Sequence, residues 1–266
     1  MYAFQFERAT DAQAAVAKLK ADGDAKFLAG GQSLLAAMKL RLASPSMLVD
    51  VARIPGMADI KVQGDAVVIG AAARHADVAA NAEVMRRIPG LASLALGIGD
   101  RQVRAMGTLG GSLANDDPAA DYPAAVLALN ATVVTDRREI PADSFFKGLY
   151  ETALAPDELI TAVRFPVPDQ SGYVKFRNPA SRFALVGVMV ARSGKTVRVA
   201  VTGAADSVFR APALEQALTA SFTPAAARAV KVDASGLNAD LHASPEYRAH
   251  LIPVLASRAV EQALKG

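Results

Sequence analysis

Ala29-Gly30-Gly31-Gln32-Ser33 and, about eighty residues further on, Thr108-Leu109-Gly110-Gly111-Ser112 each couple two adjacent glycines to a small hydroxyl residue. Paired glycines let a backbone approach a ligand closely, while the bared amides and the hydroxyl point at anionic oxygens. Taken together the two loops predict a pair of jaws around a phosphate-bearing cofactor, and their chemistry suits a pyrophosphate.

The first loop follows a short apolar run at 26–29 that reads as a strand, and it leads into an amphipathic pattern at 33–42. Ser33 would cap that helix at its positive end, an arrangement that attracts anions. Leu34, Leu35, Met38 and Leu42 would face the core, with Lys39 and Arg41 outside. Alone, this loop is equally well a tight strand-to-helix turn; the second loop shifts the balance. From Thr108 to Asp121 small and polar residues dominate, and Ser112, Asn115 and several carboxylates would suit a wrapped ribityl or ribose chain. Asp121 can accept from such a hydroxyl. It can equally cap a helix over 122–130, where Pro123 falls in the first turn, and one carboxylate could serve both.

Several classes are excluded. Gly97-Ile98-Gly99-Asp100-Arg101-Gln102 starts like the dinucleotide fingerprint but ends on glutamine, and no βαβ unit with an acidic ribose ligand frames it. A Rossmann domain is therefore not expected. Neither glycine loop ends in Gly-Lys-Ser/Thr, so a Walker A loop is absent. The 266 residues are 52% hydrophobic and 21% charged, an ordinary globular composition for one or two domains. A net charge of only +3, with no dense run of basic and aromatic residues, argues against nucleic acid. Residues 1–8 carry no leader pattern, and no apolar run reaches the roughly 18 residues of a membrane span, so a cytoplasmic location is expected.

There is no cysteine, and an iron–sulfur cluster needs thiolates, so this chain would hold none of its own. His75, His242 and His250 are too widely spaced to pair as metal ligands. His75 is expected to open a helix after a strand and His250 to lie on a C-terminal helix, and neither is assigned chemistry. No catalytic triad, acid–base carboxylate pair or reactive thiol is legible.

Along the chain, helices are expected at 12–20, 75–85 and 91–96, with strands at 26–29, 47–51, 67–70, 131–135 and 159–165. Pro166-Val167-Pro168-Asp169-Gln170-Ser171-Gly172 reads as a linker. Beyond it, 173–177, 183–192 and 196–202 read as three antiparallel strands, and helices close the chain at 213–219, 224–230 and 246–264.

The run Ala29 to Leu35, continued by Met38-Lys39-Leu40-Arg41-Leu42-Ala43 and Leu48-Val49-Asp50, resembles the first flavin-binding segment of the medium subunits of molybdenum hydroxylases, the xanthine dehydrogenase and carbon monoxide dehydrogenase relatives. Arg104-Ala105-Met106-Gly107-Thr108-Leu109-Gly110-Gly111-Ser112, then Asp117-Pro118-Ala119-Ala120-Asp121-Tyr122-Pro123, resembles the second. The resemblance continues through Tyr173 to Val186 and spans nearly the whole chain.

It implies an α+β fold: a two-subdomain FAD-binding domain of the PCMH type, similar to vanillyl-alcohol oxidase, at 1–168 (subdomains about 1–56 and 57–168). A C-terminal α+β domain at 173–266, with a three-stranded antiparallel sheet and helices, would follow. By the same resemblance FAD binds non-covalently. Leu28, Ala29, Gly30, Gly31, Gln32, Ser33 and Leu34 would wrap the pyrophosphate, and Thr108, Gly110, Gly111, Ser112 and Asn115 would hold its other side. Asp121 would bind the ribose or ribityl region, Ile98 would lie near the flavin, Ile160 near the adenine, and Lys175 would reach the cofactor's polar groups. Many relatives place an aromatic residue where Phe183 stands, so Phe183 either covers a flavin face or simply opens a buried strand.

The resemblance also implies an oxidoreductase subunit with no catalytic residue of its own. Its partners would be a large molybdenum-cofactor subunit and a small [2Fe-2S] subunit, with electrons passing to oxygen, a quinone or NAD. Carbon monoxide, an aldehyde or an N-heterocycle stays open as substrate; Gln32 is a modest pointer, since His is frequent there in carbon monoxide dehydrogenases. A stand-alone flavin oxidase and a non-catalytic adenine-nucleotide-binding module remain alternatives.

Overall fold

Gln5–Arg8 (β1), Lys26–Leu28 (β2) and Met47–Asp50 (β3) form a parallel sheet in the order β1-β3-β2 in the computed structural model, which describes residues 1–265. Parallel pairing needs a crossover, and the helices Ala12–Ala21 (α1) and Leu34–Lys39 (α2) supply it. Asp11 caps α1 by accepting from the Ala14 amide at 2.8 Å, and Ala15, Val16 and Leu19 bury one face of it. The pattern of 33–42 overreaches: α2 stops at Lys39, only Met38 of it is fully buried, and Leu42 is 78% exposed. Arg41 takes a left-handed φ of 60° there, which ends the helix before Leu42 can turn inward.

The second unit is a five-stranded antiparallel sheet in the order β4-β5-β10-β6-β7. Its strands are Ile60–Gln63 (β4), Ala66–Gly70 (β5), Thr132–Thr135 (β6), Glu139–Pro141 (β7) and Ile160–Pro166 (β10); Phe146–Gly148 (β8) and Glu151–Thr152 (β9) form a separate small hairpin. Between β5 and β6 the chain inserts His75–Ala80 (α3), Ala82–Arg87 (α4), Pro89–Leu96 (α5), Arg101–Met106 (α6), Leu109–Asn115 (α7) and Tyr122–Ala128 (α8), and Ala142–Phe145 (α9) follows β7. The single helix expected at 75–85 is two. Asn81 is extended at φ −71°, ψ 122°, and its side chain accepts from the Glu83 and Val84 amides, so it ends one helix and caps the next.

The third unit holds Gln170–Arg177 (β11), Ala184–Ser193 (β12), Thr196–Thr202 (β13) and Phe209–Arg210 (β14) in one antiparallel sheet, with Pro212–Ala220 (α10), Pro224–Ala229 (α11) and Pro245–Ala263 (α12). The sheet has four strands where the sequence pattern gave three. β14 is two residues long, too short for a period-two pattern, and pairs Phe209 and Arg210 with Val201 and Ala200. The α12 helix lies close against β11 because Gly172 has no side chain; a Cβ there would sit 3.0 Å from the Ala259 carbonyl carbon. Of the expected linker only 167–169 is free of strand.

One apolar core runs from the parallel sheet through the five-stranded sheet, with Val49, Leu91, Val133 and Val163 buried, and reaches Tyr173 and Met189 of the third unit. A second lies between β12, β13 and α10–α12. The seam between the units is also polar: Thr202 donates to the carbonyls of Pro118 and Ala120, and Arg198 to that of Leu127. The Thr202 bonds fix the segment that precedes α8, and the Arg198 bond the last turn of α8, next to one wall of the cavity described next.

Candidate functional site

The C-terminal end of β2 runs into Ala29-Gly30-Gly31, where Gly31 takes φ +70°, and α2 begins at Leu34. Facing it, Gly107 and Thr108 turn the chain from α6 into α7. The two jaws touch. A Cβ on Gly30 would lie 2.7 Å from the carbonyl carbon of Met106 and 2.8 Å from the Cα of Gly107, so glycine is required by close approach of two backbones. The second jaw is stitched to the segment after β5: the His75 amide donates to the Gly107 carbonyl (3.0 Å), Leu109 to Ala73 (3.0 Å) and Gly110 to Ala71 (2.8 Å).

Around this junction opens a cavity of about 560 Å³, within the usual size of a cofactor site. Leu28, Ala29, Gly30, Gly31, Gln32, Ser33 and Leu34 line one side, and Thr108, Gly110, Gly111, Ser112 and Asn115 the other; Asp121, Ile98 and Ile160 complete the wall. Residues as far apart in the chain as Leu28 and Ile160 are thus brought to one cavity. Lys175 is not among them. Its ammonium is buried behind the wall, 2.9 Å from the Asp121 carboxylate.

Local roles differ from expectation at three further points. Ser33 makes no capping bond and sits in the αR region, so its exposed hydroxyl is free to face a ligand. The stretch from Thr108 is not an open wrapping loop but the start of α7, where the Thr108 hydroxyl oxygen accepts from the Gly111 amide at 3.2 Å. Asp121 stands at the N-cap position of α8 without capping it. Its oxygens instead accept from the Tyr173 hydroxyl and the Lys175 ammonium, both from β11. Burial pushes the Asp121 carboxyl up, with Lys175 and the Tyr173 hydrogen bond pulling against it. Carboxylate oxygens carry two lone pairs each, so acceptor capacity toward the cavity remains.

At the far end of the cavity Glu158, 4% exposed, organises the turn before β10. It accepts from Arg138 through both oxygens (2.8 and 2.7 Å), from the Thr135 hydroxyl (2.8 Å) and from the Ala155 amide (2.9 Å). The Arg138 guanidinium, with those further donors, holds its carboxyl at about 2, against the opposing effect of burial. A carboxyl depressed by folding stabilises the protein above its unfolded pKa and loses that contribution as pH falls through the folded value. Glu158→Gln should therefore lower the melting temperature at pH 7, and the gap to wild type should narrow at pH 3. A gap independent of pH would show that the charge contributes nothing.

Phe183 lines the same cavity, is 46% exposed, and precedes β12 rather than opening it. His75 opens α3 as expected, and it also lies on the cavity wall, only 5% exposed. Burial, with the nearby Arg104 charge, lowers its pKa to about 4, so the ring is neutral at pH 7. A lone histidine at a helix start gives no periodicity signal; its proximity to the second jaw is a tertiary fact. Among the described residues no cluster of His, Asp and Glu could hold a metal ion, and no helix is long and apolar enough to cross a membrane.

Two family models account for nearly all of the chain: the FAD binding domain in molybdopterin dehydrogenase over residues 2–168, and the CO dehydrogenase flavoprotein C-terminal domain over 172–263. The chain is 39% identical to the nicotine 6-hydroxylase medium subunit of Paenarthrobacter nicotinovorans, over 92% of each chain. It is 36% identical to the carbon monoxide dehydrogenase medium chain of Hydrogenophaga pseudoflava, over 90% of this chain and 89% of that one. The chain belongs to the FAD-binding medium subunits of the molybdenum hydroxylases.

The fold agrees. A solved structure of carbon monoxide dehydrogenase from H. pseudoflava lacking the Mo-pyranopterin moiety superposes with a TM-score of 0.88 at 34% identity, covering 99% of this chain and 98% of that one. Like its relatives in this family, the protein is an oxidoreductase subunit and a flavoprotein. The cavity fits the cofactor on its own evidence: glycines that bring two backbones together, hydroxyls on both jaws for anionic oxygens, and apolar Ile98, Ile160 and Phe183 for flat rings.

Proposed function

We propose that this subunit takes electrons from iron–sulfur clusters of a small partner subunit, reduced in turn by a molybdenum-cofactor large subunit, and passes them through FAD to an external acceptor. The observation that carries this reading is the composition of the cavity wall: two glycine jaws that meet, hydroxyls on both of them, and the apolar side chains of Ile98, Ile160 and Phe183. The absence of cysteine agrees, since any cluster must then come from a partner. Relatives named as medium subunits of nicotine 6-hydroxylase and carbon monoxide dehydrogenase support the same division of labour.

Bound flavin supplies the ability to accept electrons singly and release them as a pair. The protein's own residues bind and orient. The amides around Gly30–Gly31 and the Thr108, Ser112 and Ser33 hydroxyls hold the diphosphate, Asn115 and Asp121 the sugar chain, and Ile160 the adenine side. Ile98 and Phe183 flank the isoalloxazine ring and limit access of water and acceptor. In this reading residues 1–168 (subdomains about 1–56 and 57–168) form the cofactor domain, 173–266 lie beside it, and the assembly works in the cytoplasm.

Incubation of the purified chain with FAD, followed by desalting and an absorbance spectrum, tests this. Wild type should retain a dithionite-reducible flavin. Gly111→Val should not, because a Cβ there lies 2.8 Å from the Thr108 hydroxyl oxygen and would displace the cap of the second jaw. Failure of wild type to retain flavin, alone and when co-expressed with its partner subunits, would overturn the reading.

A further inference from the structure

Four buried side-chain atoms among the described residues have no hydrogen-bond partner: His75 Nδ1, Asp116 Oδ2, the Tyr122 hydroxyl and Arg248 Nε. Of these residues only His75 stands on the wall of the large cavity. Its position is tightly defined. The imidazole packs against the Tyr122 ring with centroids 5.3 Å apart and planes tilted by 52°. On its other side it lies against Gly107: a Cβ there would come within 2.8 Å of His75 Cδ2, and Nε2 is the ring atom nearest to that point. Gly107 in turn is the residue that Gly30 meets across the jaws. The Nε2 edge of His75 therefore lies beside Gly107, the residue at which the two glycine loops meet.

A neutral imidazole carries one N–H and one lone pair. Nδ1 is sealed with no acceptor for a proton, so the tautomer with the hydrogen on Nε2 leaves only a lone pair unpaired and presents a donor to the jaws. We infer that His75 is a ligand-contacting residue that donates a hydrogen bond through Nε2 to the diphosphate of the bound dinucleotide. The inference rests on the FAD reading above and adds a side chain to what would otherwise be a site of backbone amides and hydroxyls. A neutral donor suits this position because Arg104 already stands nearby, and a second buried cation beside it would be costly.

Amide isosteres separate this role from a structural one. The Gln side-chain nitrogen reaches the position of His Nε2, whereas that of Asn reaches only Nδ1. Titration calorimetry of the purified chain with ADP, FAD and riboflavin should show His75→Gln binding ADP and FAD within about threefold of wild type. His75→Asn and His75→Leu should bind both about 10- to 100-fold more weakly, the usual value of a hydrogen bond to a charged group. Riboflavin, which lacks phosphate, should bind all four proteins alike. If His75→Leu fails to fold, the Gln and Asn pair still decides. ADP affinities equal in the Gln and Asn variants, or a loss of riboflavin binding that parallels the loss of ADP, would overturn the inference while leaving the flavin reading intact. Wild type that binds neither ADP nor FAD, alone and when co-expressed with its partner subunits, would remove both.

Discussion

Gly30→Ala should give a folded chain that no longer retains FAD after desalting. The added Cβ would be placed 2.7 Å from the Met106 carbonyl carbon and 2.8 Å from the Gly107 Cα, where carbon atoms normally rest about 3.5–4.0 Å apart. One backbone must move by about 1 Å. The second jaw resists: the Gly107 amide donates to Val103 at 2.7 Å, and its carbonyl accepts from His75 at 3.0 Å. The first jaw is held at its ends, by the Leu35 amide on the Gly31 carbonyl at 3.2 Å and the Val51 amide on that of Leu28 at 2.9 Å, but Ser33 makes no cap and α2 is short, so it is the side that gives. Displacing one half of a diphosphate cradle should cost on the order of 3 kcal/mol of binding, or over about a hundredfold in affinity. Gly23→Ala is the control, because a Cβ at that turn meets nothing within 4 Å, and it should bind FAD as wild type does. Equal flavin retention in Gly30→Ala and Gly23→Ala would mean that the jaws need not close on each other to hold the cofactor.

Much of this site was legible in the sequence because its signals are local. Gly-Gly-x-Ser after an apolar run and Thr-x-Gly-Gly-Ser each specify a backbone that must come close to something, and the residues from Leu28 to Leu34 line one cavity with Thr108, Gly110, Gly111, Ser112 and Asn115. Elements with strong periodicity, such as α12 and the β12–β13 pair, also emerged at nearly their observed bounds. Roles set by partners distant in the chain did not. Nothing near Asp121 announces that its carboxylate turns from its own helix toward Tyr173 and Lys175, more than fifty residues away, and nothing near His75 announces the cavity. Leu42 failed for the opposite reason: the apolar pattern continues past Lys39, but the left-handed residue at Arg41 breaks the helix and leaves Leu40 and Leu42 in solvent. The strands β7 and β14, of three and two residues, are too short to show alternation, and their existence depends on the partner strand.

Asp121→Asn should be among the most destabilising single substitutions in the chain, and its loss should be repaired by a second change in β11. Asp121 and Lys175 side chains are each 4% exposed, and the pair joins the start of α8 to the third sheet. Removing one partner of a buried ion pair leaves an uncompensated charge and costs about 3–5 kcal/mol, whereas replacing both by neutral groups of similar size is close to neutral. Lys175→Met should be milder than Asp121→Asn and dependent on pH. Burial already pushes the Asp121 carboxyl up, and without the ammonium only the Tyr173 hydroxyl and the weaker pull of the Arg177 charge oppose that shift, so the group takes a proton. A carboxyl whose pKa is higher in the folded than in the unfolded chain binds more protons when folded, and stability then falls as pH rises. The penalty of Lys175→Met should consequently be small at pH 4 and grow toward pH 8, while the Asp121→Asn, Lys175→Met double variant should stay flat over that range and recover most of the loss. Urea melts of the four proteins at three pH values measure this directly. Single-variant losses that add in the double variant would show that the two charges are not coupled, and that the seam between the cofactor wall and the third sheet is held by packing instead.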